Sequence, residues 1–240
     1  MDKLQPAFST EQLPLPRAGD RALGVPEASR VLRNTYWLLA LSMLPTIAGA
    51  WAGMQFNLMR LFVASPILTP LLMFGVMIGA LFAVAALRNS AFGVPALLGF
   101  TFIAGLMLTP ILTVALGLRN GGQLIGLAGG MTAAIFFAMA AIATVSKRDF
   151  SFLGKFLFVG LVLLVVASLA NLFFQVPAIQ LTVSAIGVLL FSLYLLYDVN
   201  TIVRGGETNY ISATLKIFLD LLNLFVSLLN ILMALSGQRD

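Results

Sequence analysis

Two acidic side chains fall where the chain is otherwise apolar. Asp198 closes one apolar stretch, directly after Leu-Leu-Tyr, and Asp220 lies inside another, directly after Ile-Phe-Leu. An ionisable group at the centre of a membrane helix costs at least about 2.5–3.5 kcal/mol and usually marks an ion pathway or a proton relay. Two carboxyl groups that meet in a dry interior titrate together and tend to share one proton. When both are ionised, they offer hard oxygen ligands suited to Ca²⁺. These two residues therefore predict an ion- and pH-sensing pair that could bind Ca²⁺.

The chain contains neither Cys nor His. This excludes a disulfide framework, a thiolate nucleophile, a cysteine-ligated metal and an imidazole base or ligand. Proton or metal chemistry must therefore use carboxylates and amides. We expect no catalytic residues, no enzymatic activity and no bound cofactor other than transported or bound Ca²⁺.

Polar side chains recur around the second aspartate. Asp220, Asn223, Ser227 and Asn230 are spaced as one face of a helix, which would be costly against lipid and should therefore point inward. Asn171 is a candidate partner for this supporting polar face. A plainer interpretation is interhelical hydrogen bonding, at about 0.6 kcal/mol for each bond.

A basic side chain could also lie beside the aspartates. Arg88 follows the second apolar stretch, at the end expected to face the cytoplasm, and is the candidate basic partner of the pair. A second plain interpretation is a local ion pair between Asp220 and Lys216, which lies four residues earlier.

The elements that position these residues are apolar helices. Of the 240 residues, 60% are hydrophobic and 10% are charged, against about 25% charged in soluble proteins. A helix needs about 20 apolar residues to cross a bilayer. Seven stretches qualify, at residues 35–53, 67–87, 94–117, 124–145, 153–175, 178–197 and 212–235. The sequence predicts an all-α polytopic membrane protein, a bundle of seven transmembrane helices.

The distribution of Lys and Arg predicts the orientation of the bundle. Residues 1–34, rich in charge and proline, are interpreted as a disordered cytoplasmic tail without a signal peptide, followed by a membrane domain at 35–240. The tail and every second connection together hold eleven of the fourteen Lys and Arg residues. Because such residues accumulate in cytoplasmic loops, the N-terminus should be cytoplasmic and the C-terminus outside. Topology explains the basic pI, so the lipid bilayer is the expected partner and nucleic acid is not.

The fourth stretch carries small residues at every fourth position, namely Gly122, Gly126, Gly130, Ala134 and Ala138. Small residues at this spacing allow helix backbones to approach closely in lipid. A dimerisation seam is one interpretation. We favour the other, a central helix packed against neighbours of its own bundle.

Five segments resemble those of a known family. The run Tyr-Leu-Leu-Tyr-Asp-Val-Asn-Thr-Ile at 194–202, followed by Leu-Asp-Leu-Leu-Asn-Leu-Phe-Val-Ser-Leu-Leu at 219–229, resembles the carboxyl-terminal signature of the Bax inhibitor family of seven-helix membrane proteins. The segment at 147–154 resembles the loop of that family between spans four and five. The segments at 31–36 and 205–210 resemble its bacterial YccA branch.

This resemblance implies a function as well as a fold. It implies a pH-sensitive Ca²⁺ leak governed by an aspartate pair, which maps onto Asp198 and Asp220, with Arg88 as an approximate match to the basic partner. In YccA-like members it also implies inner-membrane localisation and association with the membrane AAA protease FtsH, whose activity they restrain. The N-terminal tail would then be the contact with FtsH.

Other functions share some of these features. Intramembrane aspartyl proteases also carry aspartates on spans six and seven, but the residues before Asp220 do not resemble their Gly-x-Gly-Asp motif. A retinal receptor needs a lysine deep in a span, and Lys216 lies near a boundary. Another proton-coupled ion transporter remains an alternative, although no internal repeat is visible.

Overall fold

The computed structural model of the chain describes residues 25–146 and 148–237. These residues form α-helices without any strand, which confirms the all-α class. The helices are α1 (Val25–Gln55), α2 (Met59–Ala64), α3 (Leu68–Leu87), α4 (Gly93–Met107), α5 (Thr109–Leu116), α6 (Gly121–Val145), α7 (Leu153–Phe174), α8 (Pro177–Val203) and α9 (Tyr210–Ser236).

The third predicted span is a broken helix. Six helices of the described residues, α1, α3, α6, α7, α8 and α9, are long and apolar enough to cross a membrane. Helices α4 and α5 reach that length only together, and they are bent by 40° at Leu108. Pro110 lies in the first turn of α5 and has no N–H to donate to the preceding turn, which accounts for the break. The count is therefore six spans, or seven if the bent pair forms one.

Helix α1 begins before the first apolar stretch. Residues 25–34, which the sequence assigns to the tail, are helical, whereas residues 1–24 lie outside the described part of the chain. Ala28 is buried, and Val31 and Leu32 pack against the core. These three positions form an apolar stripe at helical spacing among charged neighbours, and burial of the stripe extends the helix.

Helix α9 lies at the centre of the bundle. It contacts α1, α4, α5, α6 and α8, whereas α3 is peripheral and has Val84 as its buried residue. The side chains of Leu195 from α8 and of Ile217, Leu224 and Leu229 from α9 are fully buried at this centre. The aspartates are carried by these two helices, so the most buried part of the fold positions them.

The small-residue stripe of α6 faces outward, so the prediction that it packs inside the bundle is wrong. A Cβ atom added to Gly122, Gly126 or Gly130 would meet nothing within 4 Å, and Ala134 and Ala138 are exposed. Spacing alone does not reveal which face of a helix is buried, since small residues are tolerated against lipid as well as against another helix.

The backbones of α1 and α4 approach each other closely at two glycines. A Cβ atom on Gly49 of α1 would collide with the carbonyl oxygen of Phe102, and one on Gly105 of α4 would collide with the carbonyl oxygen of Thr46. Because each glycine lies against the backbone of the other helix, α1 and α4 pack at a distance that only residues without a side chain allow.

Candidate functional site

Asp198 and Asp220 are both buried, on the neighbouring helices α8 and α9. Asp198 lies in the last turns of α8, and Asp220 lies about three turns into α9, which runs antiparallel to α8. Their residues are only 8% and 6% exposed. The two carboxyl groups are close enough to interact electrostatically with each other. A carboxylate is an acceptor only, so a hydrogen bond between them requires a proton on one of the two groups.

One oxygen of this pair has no partner. The Oδ2 atom of Asp220 is buried and receives no hydrogen bond from the described residues. Unpaired polar atoms are rare in protein interiors because removing them from water without a substitute partner is costly. This atom is therefore a position where a proton or a cation would be stabilised.

Two further ionisable groups lie near the pair. Lys216, one turn before Asp220, and Tyr194, one turn before Asp198, are each close enough to interact electrostatically with both carboxyl groups. The Nζ atom of Lys216 lies 2.8 Å from an oxygen of Glu207, in the connection between α8 and α9. Lys216 therefore forms its ion pair with Glu207, and the alternative pairing with Asp220 does not form.

Arg88 lies at the start of α9, away from the aspartates. Its Nη1 atom donates to the hydroxyl of Ser212 over 3.2 Å. Ser212 precedes Asp220 by eight residues, which is about 12 Å along a helix. Within the described residues Arg88 forms no ion pair with either aspartate. The contacts of the described residues therefore do not support the prediction that Arg88 is the basic partner of the aspartates.

The predicted polar face of α9 divides into two groups. Asp220 and Ser227 are buried, and a Cβ atom on Gly187 of α8 would lie only 2.6 Å from the Ser227 hydroxyl. Asn223 and Asn230 are half-buried, and the Asn223 amide donates to a carbonyl of its own helix over 2.8 Å. The structure thus brings Asp220 and Ser227 against α8, whereas the Asn223 amide forms its hydrogen bond within α9.

Asn171 does not belong to this site. Its Oδ1 atom accepts a hydrogen bond from the backbone N–H of Val176 over 2.9 Å, and its Nδ2 atom lies 3.4 Å from Oε1 of Gln180. These hydrogen bonds stabilise the turn that joins α7 to α8. Asp198 lies 21 residues beyond Pro177, about 32 Å along α8, so Asn171 is at the opposite end of the bundle.

Asn200 is the polar residue near the site that the sequence interpretation passed over. It is 2% exposed, and its Oδ1 atom accepts from the backbone N–H of Phe150 over 3.2 Å. Its Nδ2 atom lies 3.4 Å from each of the carbonyl oxygens of Ala143 and Arg148. Asn200 therefore attaches the connection between α6 and α7 to α8, two residues after Asp198. The sequence feature that could have identified Asn200 is a polar amide two residues after an aspartate, at the end of an apolar stretch.

We expect the substitution Asn200→Ala to loosen this connection. It leaves one backbone N–H and two carbonyls without their partner, at a cost of about 1–3 kcal/mol. Limited trypsin digestion of the detergent-solubilised protein should show faster cleavage after Arg148. Asn223→Ala is the matched control, because its amide bonds only within its own helix. Equal cleavage rates in the two variants would contradict the role of Asn200.

Asp149 is the acidic residue of the same connection and stays ionised near neutral pH. Hydrogen bonds from the backbone N–H and the side chain of Ser151 lower the pKa of Asp149 below its usual value of 3.8, and the charge of Arg204 lowers it further. The backbone bond measures 2.8 Å. Asp149 is therefore excluded as the group that would respond to pH near neutrality.

Sequence comparisons agree on one family. The sequence model of a family described as inhibitor of apoptosis-promoting Bax1 matches residues 28–237. A protein of Escherichia coli strain K12, named modulator of FtsH protease YccA, is 38% identical over 205 residues, which cover 85% of this chain and 89% of that protein. An uncharacterized protein of Campylobacter jejuni is 41% identical over 213 residues, 88% of this chain and 91% of its own.

Other relatives agree on the location. An uncharacterized membrane protein of Vibrio cholerae is 40% identical over 207 residues, 86% of this chain and 90% of its own, and a second E. coli relative is named inner membrane protein YccA. The names describe an inhibitor, a modulator and membrane proteins, which points to a non-enzymatic function. Together with the helices long enough to span a bilayer, they identify a multi-pass inner-membrane protein. The chain belongs to the Bax inhibitor family.

Proposed function

We propose that this chain forms a pathway for Ca²⁺ that the Asp198–Asp220 pair opens and closes. With one shared proton, the two carboxyl groups bind each other and hold α8 against α9. With both ionised, they repel in a dry interior and offer their oxygens to a cation. The observation that supports this proposal most is the burial of two carboxyl groups close enough to interact electrostatically, one of which has an oxygen that receives no hydrogen bond from the described residues.

The number of nearby ligands favours passage of the ion over storage. Ca²⁺ takes 6–8 oxygen ligands in a stable site. Within residues 25–146 and 148–237, no three acidic side chains cluster as a metal site. Two carboxylates can draw a partly hydrated ion into the bundle without holding it. We therefore propose Ca²⁺ as the transported ion. The flux of other cations can be compared with that of Ca²⁺ in the same assay.

The test is ion flux through purified protein in liposomes. A Ca²⁺-sensitive dye is enclosed, and the initial rate of influx is measured between about pH 6 and pH 8. Because ionisation opens the pair, flux should rise with pH, by at most about tenfold per pH unit for one linked proton. Protein-dependent flux that does not change with pH would exclude the proposed gate.

We also propose that the chain modulates a membrane protease related to FtsH. The support is its similarity to a modulator of FtsH protease along 85% of its length. The N-terminal residues are the segment proposed to contact the protease, since the distribution of Lys and Arg predicts that they lie in the cytoplasm. One protein could conduct ions and also contact a protease. Because the two proposed functions use different parts of the chain, variants can test each of them separately.

Deletion of residues 2–24 tests the second function. The deletion leaves α1 intact, because that helix begins at Val25. We expect the truncated chain to change the turnover of a membrane substrate by FtsH toward the rate without this protein, with unchanged Ca²⁺ flux. The rates are measured in cells by following the decay of the substrate after synthesis is blocked. Turnover identical to that with the full chain would exclude the tail as the contact.

A further inference from the structure

An apolar cavity opens between α1, α6 and α9. Its volume is about 570 Å³, and it is lined by residues such as Leu39 and Met43 of α1, Gly129 and Phe136 of α6 and Phe225 of α9. Proteins bind small molecules in cavities of about 300–1,000 Å³. A transmembrane helix, about 10 Å across with its side chains, is too large for this space, whereas a single flexible chain is not.

The lining of this cavity favours an apolar occupant over water. The hydroxyls of Thr46 and Thr132, which lie on the lining, are bonded to carbonyls of their own helices over 2.8 Å each. A buried water needs about 2–4 polar partners. An apolar ligand satisfies the cavity better.

A second, smaller pocket adjoins the cavity near the start of the first apolar stretch. It measures about 360 Å³ and is lined by Arg33, Tyr36 and Trp37. Tyr36 lines both spaces, and Arg33, Tyr36 and Ala40 follow one another at helical spacing on α1, so the two spaces lie along one face of that helix. The Trp37 side chain is 73% exposed. Trp and Tyr concentrate where the headgroups meet the hydrocarbon, which indicates the depth of this second pocket.

One basic side chain, Arg33, lines the second pocket, and another, Arg30, lies about one turn earlier on α1. Arg30 and Arg33 are exposed, and within the described residues neither forms an ion pair with an acidic side chain. The cytoplasmic leaflet carries anionic lipids, which attract basic residues beside a membrane helix. The charges at this pocket therefore complement an anionic headgroup.

We propose that these two spaces form one binding site for an anionic phospholipid. An acyl chain fills the cavity between α1, α6 and α9, and the phosphate lies against Arg33 with Trp37 and Tyr36 beside it. The lining on α1 runs from Tyr36 to Ile47, about 16 Å along the helix, so the site accommodates most of one chain. The lipid fills the gap between α1 and α6.

The test compares lipid retention by variants of the whole chain in detergent. The purified protein is incubated with equal amounts of dioleoyl phosphatidylglycerol and dioleoyl phosphatidylethanolamine, and bound lipid is measured by native mass spectrometry. Gly129→Leu fills the cavity, because a Cβ atom on Gly129 meets nothing within 4 Å. Gly130→Leu is the matched control, since that residue is exposed on the same helix and does not line the cavity.

We expect one phosphatidylglycerol molecule to remain on the wild type and on Gly130→Leu, and to be lost from Gly129→Leu. Arg33→Gln should lower the preference for phosphatidylglycerol over phosphatidylethanolamine by about fivefold, the effect of one basic residue near an anionic surface. Equal retention by both leucine variants would overturn the site. An unchanged preference in Arg33→Gln would overturn the assignment of the headgroup.

Discussion

Replacement of Asp220 with asparagine should leave Ca²⁺ flux low and nearly independent of pH. An asparagine amide donates a hydrogen bond to the Asp198 carboxylate without needing a proton, so Asp220→Asn imitates the closed, protonated pair at every pH. Against a wild-type flux that rises by up to about tenfold per pH unit, the variant should vary by less than about twofold between pH 6 and 8. Asp198→Asn should behave in the same way, because either carboxyl group completes the pair.

The control for this experiment is Asp149→Asn. Asp149 carries the same charge on the same side of the bundle, but it lies in the exposed connection between α6 and α7, and its lowered pKa keeps it ionised over the tested range. We expect the pH dependence of this variant to match the wild type. The same pH profile in all four proteins would exclude the aspartate pair as the gate.

The double variant Asp198→Asn with Asp220→Asn shows whether the two residues act together. If they form one titrating unit, the second substitution adds little to the change in pH dependence caused by the first, since the effects of residues in one network are not additive. Additive effects of the two substitutions would indicate two separate groups and would contradict the proposed pair.

Substitution of Gly105 with alanine should destabilise the bundle. The new Cβ atom would collide with the carbonyl oxygen of Thr46 and lie 3.0 Å from the backbone nitrogen of Ala50. Backbone cannot rotate away as a side chain can, so α1 and α4 must separate. Overpacking of this kind costs about 1–3 kcal/mol, which thermal unfolding followed by scanning fluorimetry in detergent will detect as a lower Tm.

Gly79→Ala is the matched control for that measurement. It makes the same chemical change in α3, at a position where an added Cβ atom meets nothing within 4 Å. Because alanine is the better helix former, we expect an unchanged or slightly raised Tm. A Tm of Gly105→Ala equal to that of Gly79→Ala would contradict the close packing of α1 on α4.

Asn200 provides a physical connection from the aspartates to the surface. It lies two residues after Asp198 and binds Phe150 in the connection between α6 and α7. If ionisation moves the end of α8 away from α9, this connection should move with it. Tryptic cleavage after Arg148, measured for the wild type at pH 6 and pH 8 and corrected for trypsin activity, would show whether the two are linked.

The sequence alone determined the class of the protein and the residues of interest. Hydropathy depends on local composition and can therefore be read from the sequence. Six of the seven predicted spans correspond to long, unbroken helices, and the predicted and observed bounds differ mainly at the helix ends. The two aspartates could be identified because a charge in an apolar stretch is costly whatever surrounds it. The Bax inhibitor resemblance rested on local motifs and is confirmed along residues 28–237.

Which residues lie beside each other depends on how whole helices pack. Helical spacing places side chains on a common face but does not say which face is buried, so the small residues of α6 proved exposed and the close approach lies between Gly105 and α1. The sequence positions of three residues did not reveal their partners. Asn171 lies at the far end of the bundle, Arg88 binds Ser212, and Lys216 pairs with Glu207. Such contacts join residues that are distant in sequence, and the packing of whole helices fixes them.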